Sequence, residues 1–311
     1  MKKPSPLLLA GAFALVTFVW GTTWAVIRIG LDAGMLPFAG VSLRFALASV
    51  LLFLLAPFFG VRFRRSRLVV GLWLMNAALN FCIPYGVVHW GEQWVPSGLA
   101  SVLFSTYPLI LALMAHFILP GERLRPGSVV GILVGFTGVA VIFSEDLASL
   151  GGPGVALAAG VILLAPLTSS VTSVVIKRWG REVHPFSLTA VPMGLTAGVM
   201  GALSLAVEPV RTMPVNLTTI GVLVYLGVFG SARTFTLYFW MLSHMPATRL
   251  SLMTYIIPVM AVLVGTFFLH EPFTLRTLAG SALVLAGVAL AMQAGRRPTK
   301  NLLSKGIRSL P

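Results

Sequence analysis

Long apolar runs dominate the chain, broken at short intervals by charged or proline- and glycine-rich segments. A helix needs about 20 apolar residues to cross the hydrocarbon core of a bilayer. Ten runs meet or approach that length: 7–27, 37–57, 68–89, 96–118, 127–144, 154–176, 186–207, 216–240, 247–269 and 275–294. They lack the period-two alternation of barrel strands, which excludes an outer-membrane barrel. The pattern predicts an all-α integral membrane protein with ten transmembrane helices. The first run follows Lys2 and Lys3, as the core of a signal peptide would. Its length of about 21 residues exceeds the 7–15 of such a core, and no credible cleavage site follows. It is read as a retained span.

Composition supports this pattern. The chain is 57% hydrophobic and only 10% charged, against about 25% charged in soluble domains. A net charge of +14 would suit nucleic acid if the basic residues shared a face. They sit instead in short clusters between the apolar runs, as a topology signal does. The expected partners are therefore the lipid bilayer and a small-molecule substrate, with no nucleic acid. Placing the N-terminus in the cytoplasm puts 17 of the 22 basic residues inside. Three (Arg28, Arg211 and Arg276) fall outside, and Arg44 and Arg233 fall within spans. That asymmetry predicts ten spans with both termini cytoplasmic, in a bacterial inner membrane. The single cysteine, Cys82, excludes an intrachain disulfide and reads as a small buried side chain.

The chain also repeats itself. Pro96, Ser101 and Pro108 match Pro246, Ser251 and Pro258 at an offset of 150. After one skipped residue, Glu122, Gly131 and Gly138 match Glu271, Gly280 and Gly287. Pro37-Phe38 resembles Pro185-Phe186, and Trp90 aligns with Trp240. This duplication divides the chain into residues 1–146, residues 147–295 and a basic cytoplasmic tail, 296–311. Each half holds five spans. Five is odd, so the second half enters the membrane from the opposite side, and the halves are two inverted five-helix repeats. Inverted repeats suit an alternating-access carrier with its substrate near the midplane. Such a duplication can be complete as a monomer.

Several motifs give the chain a family resemblance. They are Trp20-Gly21, Leu43-Arg44-Phe45, Tyr107-Pro108 leading to Gly121-Glu122-Arg123-Leu124, the glycine-spaced fifth helix, and a second copy with Ile257-Pro258 and His270-Glu271-Pro272. Together they resemble the EamA-type drug/metabolite transporter superfamily over about residues 7–294, most of all its bacterial aromatic amino acid exporters. The second copy departs from the first: Pro272 replaces the basic residue after the glutamate, and Arg44 has no basic counterpart in the seventh helix. The resemblance implies a ten-helix inner-membrane carrier that exports amino acids, aromatic and other neutral ones, or related metabolites. It also implies that third-helix residues line the cavity.

The segment LMNAALNFCIPYGVVHW places two amides, Asn76 and Asn80, four residues apart on one helix face, with Phe81 and Tyr85 on the adjoining strip. Pro84 has no N–H, so the carbonyl of Asn80 loses its helical partner. These groups line a wet cavity or bond across to neighbouring helices. Arg233 lies in a span that contains no acidic residue. A substrate carboxylate would complete it, or it snorkels to the interface or bonds carbonyls. For Arg44, a structural bond to carbonyls or to Asp32 is expected. Trp20, Tyr107, Tyr238 and Tyr255 are midspan aromatics suited either to sandwiching an apolar substrate group or to anchoring. In the sixth helix Pro166 bends the backbone, and Ser169, Thr172 and Ser173 hydrate a path or re-satisfy freed backbone. The glycines of the fifth and tenth helices read as close-packing surfaces.

The expected substrate-binding residues are therefore Trp20, Asn76, Asn80, Phe81, Tyr85, Tyr107, Ser169, Arg233, Tyr238 and Tyr255. No metal or cofactor is expected. His89-x-x-Glu92 offers only two ligands, no phosphate loop occurs, and an enzyme is not expected. No acidic relay lies deep in a span, which favours uniport or exchange. The alternative is a multidrug or nucleotide-like metabolite efflux carrier with proton coupling.

Overall fold

A computed structural model describes residues 4–91, 94, 97–142, 144, 154–269 and 274–294. Glu92, Glu145, Asp146, His270, Glu271, Pro272 and the basic tail lie outside the described residues, as do the side chains of Trp24 and His89. The described residues form helices and no strands. Among the described residues six helices are long and apolar enough to cross a membrane, and four more are shorter and apolar.

Helix α1 is Pro6–Asp32 and α2 is Pro37–Leu55. Helix α3 covers 67–91, α4 covers 97–118 and α5 is Pro126–Ile142. Helix α6 is Val155–Trp179, α7 is Pro185–Val207 and α8 is Leu217–His244. Helix α9 covers 247–269 and α10 is Leu275–Ala294. Prolines at Pro6, Pro37, Pro126 and Pro185 open four of these helices, where a missing N–H costs nothing and the fixed φ suits the first turn.

Prolines within the apolar runs have the opposite effect. Helix α4 stops at Phe104 and resumes at Tyr107, and α6 is interrupted at Leu163. In each case the last residue before the break lies four before a proline, Pro108 or Pro166, whose ring clashes with that carbonyl. Ahead of Pro84, α3 widens into a π segment, Ala77–Cys82, where the Ile83 N–H reaches the Ala78 carbonyl. The expected free carbonyl at Asn80 is thus part of a wider local rearrangement of the ladder. Helix α8 carries a second π segment, Tyr225–Arg233, without any proline. Side-chain donors from α1 and α2 bond its Gly230 carbonyl, which compensates a disturbed ladder there.

The packing follows a pattern. Helix α5 pairs with α10 and α2 with α7; α1 packs on α9 as α6 packs on α4; α2 meets α8 as α7 meets α3. Advancing every helix by five places exchanges these pairs. The α5–α10 seam is backbone against backbone, as the glycines led us to expect. A Cβ on Gly131 would sit 2.6 Å from the Gly287 carbonyl, and one on Gly138 2.7 Å from the Gly280 carbonyl. Large side chains such as Phe58, Phe117, Leu205 and Leu217 point outward, as lipid-facing residues do.

Two carboxylates tie the bundle across helices. Glu208, just past α7, accepts from the Phe38 and Ala39 N–H groups at 2.8 and 2.9 Å, at the start of α2. Glu122, after α4, accepts from the Ala247 and Thr248 N–H groups at 2.9 and 3.1 Å, at the start of α9. Each carboxylate satisfies donors that a helix N-terminus leaves unpaired, and the helix dipole favours its charge.

Candidate functional site

A cavity of about 210 Å³ lies between α1, α2, α3, α4, α6, α8 and α9. Of the expected residues, Trp20, Asn80, Tyr85, Tyr107, Ser169 and Tyr238 line it. Its walls are predominantly aromatic and apolar, with a few polar groups between them, the usual make-up of a small-molecule site.

Helix α1 places Trp20 so that its indole N–H reaches the Thr234 hydroxyl at 3.0 Å and the Gly230 carbonyl at 3.3 Å. That fixes the ring against Phe235 and Tyr238, with centroids 5.0 and 5.7 Å away. Below it, the hydroxyls of Tyr107, Tyr238 and Ser173 form a closed triangle with edges of 2.7, 2.8 and 2.9 Å. Asn80 reaches the cavity from the π segment of α3, and its buried Nδ2 has no partner among the described residues. A buried donor left unpaired is costly, so this amide is poised for an acceptor from outside the protein.

Arg44 was expected to be structural, and it lines the cavity as well. It is only 5% exposed. Its Nε donates to the Ser231 hydroxyl at 2.6 Å and one terminal nitrogen to the Gly230 carbonyl at 3.2 Å. The carbonyl bond was anticipated, whereas Asp32 is not its partner. The guanidinium also lies 5.5 and 5.4 Å from the ring centres of Phe45 and Tyr85, close enough for cation–π attraction. Among the described residues no carboxylate pairs with it, so the wall carries a positive charge.

Four expected residues lie elsewhere. Asn76 is fully buried and donates to the Leu188 carbonyl of α7 at 2.6 Å, the interhelical alternative. Phe81 is core, edge-on to Phe45 and Phe235 at 5.3 and 4.9 Å. Tyr255 is buried near Gly135 in the α5–α9–α10 core. Arg233 is exposed and faces a separate groove between α1, α2 and α8. In α6 the hydroxyls divide: Ser169 faces the cavity, Ser173 joins the tyrosines, and Ser170 and Thr172 bond carbonyls of their own helix.

Sequence reasoning missed Thr23, Phe104, Ser105, Phe235, Thr254 and Pro258 as lining residues. Ser105 and Phe104 flank the break before Pro108, a signal that was available. Phe235 carried none, because it is one of 20 phenylalanines and only the phase of α8 turns it inward.

Comparison with known proteins agrees with this architecture. The model of the EamA-like transporter family matches the chain twice, over residues 7–144 and 156–293. An uncharacterized transporter of Archaeoglobus fulgidus is 30% identical, the match covering 90% of this chain and 97% of that one. A probable terminal-alkyne amino-acid exporter of Streptantibioticus cattleyicolor is 31% identical over 90% and 91% of the two chains. The uncharacterized inner membrane transporter YedA of Escherichia coli is 27% identical over 99% and 98%. One crystal structure superposes with a TM-score of 0.81 at 21% identity, covering 93% of this chain and 99% of that one, a likeness of fold. The family and these relatives are transporters and not enzymes.

Proposed function

The chain belongs to the EamA-like transporter family, and on that premise we propose that it is a ten-helix inner-membrane carrier exporting neutral amino acids, aromatic ones among them, or related small metabolites. The observation that carries this reading is the central cavity. Both halves contribute to it, and it holds an unpaired amide donor at Asn80 and a guanidinium at Arg44 among aromatic walls. A carboxylate suits the cation and the amide, and an apolar side chain suits Trp20, Tyr85 and Phe235. The amino-acid exporter among the relatives favours the same substrate class.

The exchange of packing pairs on a five-helix shift supports two inverted repeats, 1–146 and 147–295, that rock about this cavity. With both termini cytoplasmic, Ile27 and Val88 lie toward the outer end of the cavity, and the Tyr107–Tyr238–Ser173 triangle lies toward its inner end. Lys177 donates to the Leu242 and Met245 carbonyls at 2.6 and 2.7 Å while Glu122 holds the start of α9. The α8–α9 turn is thus clamped on the inner side, as in a carrier closed to the cytoplasm. Among the described residues no Asp or Glu lines the cavity, which favours uniport or exchange over proton coupling.

The test is counterflow in proteoliposomes preloaded with a single unlabelled amino acid, with labelled phenylalanine or threonine as tracer. Tracer should accumulate in wild type and in Arg233→Ala but not in folded Asn80→Ala. Failure of every amino acid to support exchange would remove this substrate class, and uphill transport driven by an imposed pH gradient would remove uniport.

A further inference from the structure

The second groove, about 810 Å³ in volume, opens on the outer surface between α1, α2 and α8. Leu8, Leu55, Phe59 and Phe229 are among the apolar residues around it, and Arg233 is its charged residue. Gly11 lies on its α1 wall, where an added Cβ would meet nothing within 4 Å. Two features separate this groove from an ordinary lipid-facing surface. It is concave where helices normally fill the space between them, and it holds an exposed arginine with no protein partner among the described residues.

An arginine against hydrocarbon is costly unless an anion or water meets it. Among the described residues no Asp or Glu lines the groove, and the bilayer is the medium it opens to. Arg233 lies 11 residues from His244, the end of α8, or about 16 Å along the axis. Helix α8 has 28 residues, or about 42 Å, and overshoots a hydrocarbon core of about 30 Å. The Arg233 backbone then lies about 10 Å inside the boundary, and a snorkelling guanidinium points back toward the headgroups. With the proposed orientation, those headgroups belong to the cytoplasmic leaflet.

We infer that this groove is a binding site for an anionic phospholipid of the cytoplasmic leaflet, its phosphate held by Arg233 and an acyl chain lying over Gly11. The guanidinium matches a phosphate in charge and in bidentate geometry, and the glycine leaves the space that a chain occupies. The site is separate from the central cavity and does not depend on which substrate the carrier moves; only the naming of the leaflet rests on the proposed orientation.

The experiment is native mass spectrometry of the full-length protein in detergent, titrated with phosphatidylglycerol, phosphatidylethanolamine or oleate. Melting temperature without added lipid serves as the folding control. Wild type should retain phosphatidylglycerol in preference to phosphatidylethanolamine. Arg233→Gln should weaken phosphatidylglycerol binding about tenfold, the scale of one charge-assisted hydrogen bond. Arg233→Lys, which keeps the charge but not the fork, should restore part of it, and Gly11→Phe should lower retention of both phospholipids by filling the groove. Equal binding of the two phospholipids by wild type would overturn the proposal. So would unchanged phosphatidylglycerol binding by Arg233→Gln, or displacement of phosphatidylglycerol by equimolar oleate. Counterflow is assayed separately, so failure here leaves the carrier reading standing, and failure there leaves this one.

Discussion

The hydroxyls of Tyr107 and Tyr238 meet at 2.7 Å, one carried by α4 and the other by α8. Ser173 of α6 bonds to both. Each hydroxyl has one proton to give, so a ring of three satisfies itself without a backbone partner. Removing one member leaves the other two short of a bond. Tyr238→Phe keeps the ring packed beside Trp20 and Phe239 and should lower stability by about 1 kcal/mol. A thermal melt in detergent that matches wild type would show that the triangle contributes nothing.

Arg44 should prove indispensable and Arg233 dispensable for transport. Arg44→Gln removes bonds to Ser231 and Gly230 that join α2 to the π segment of α8. The expected loss is about 2 kcal/mol of stability, together with loss of counterflow. Arg44→Lys cannot span both acceptors with the same fork and should rescue stability only partly. Normal counterflow in a folded Arg44→Gln protein would count against a role for its charge in binding.

The two amides of α3 should separate cleanly. Asn80→Ala removes a donor that no group among the described residues uses, so stability should hold within about 0.5 kcal/mol while counterflow is lost. Asn76→Ala strands the Leu188 carbonyl and should destabilise by about 1–2 kcal/mol with tracer affinity unchanged. Melting curves and tracer concentration series on both proteins decide this, and reversed phenotypes would exchange the two assignments.

Glu122→Gln and Glu208→Gln should each lose one of two backbone bonds at a helix start. The expected cost is about 1 kcal/mol each, and more for alanine, which loses both. Glu208 also accepts from the Ser204 hydroxyl at 2.7 Å, so Ser204→Ala should be partly redundant with it in a double-mutant cycle. Strict additivity would mean that the two act independently.

Gly287→Ala should be severe for its size. The added methyl would meet the Gly131 carbonyl at 2.6 Å, and the α5–α10 seam must spread to admit it, at about 1–3 kcal/mol. Gly71→Ala, where nothing lies within 4 Å, is the control and should not destabilise. Equal melting temperatures would show that the seam is looser than the backbone contact implies.

The spans were legible because crossing a bilayer is a local requirement. Enough consecutive apolar residues with every backbone group bonded within the segment define a helix without reference to its neighbours. The run expected at 186–207 is the helix Pro185–Val207, and the glycines expected to pack closely meet in the α5–α10 seam. The direction in which a side chain points around its helix is a different matter. Asn76 and Asn80 share a face on a regular helix, and Tyr255 is a midspan aromatic like Tyr107, which the sequence alone joins to the same cavity. A π segment starts immediately after Asn76 and another ends at Arg233, while α9 is interrupted at Leu252, three residues before Tyr255. Each irregularity shifts the phase of the downstream residues by part of a turn. Asn80 thus meets the cavity while Asn76 meets α7, Arg233 turns outward and Tyr255 turns into the core. Residue spacing specifies that there is a helix and which groups it carries. In α8 tertiary packing chooses where the ladder slips, because the side chains of Trp20 and Arg44 bond a carbonyl in the widened turn, and the resulting phase of each helix turns its polar residues to the cavity, to a neighbouring helix or to the outer groove.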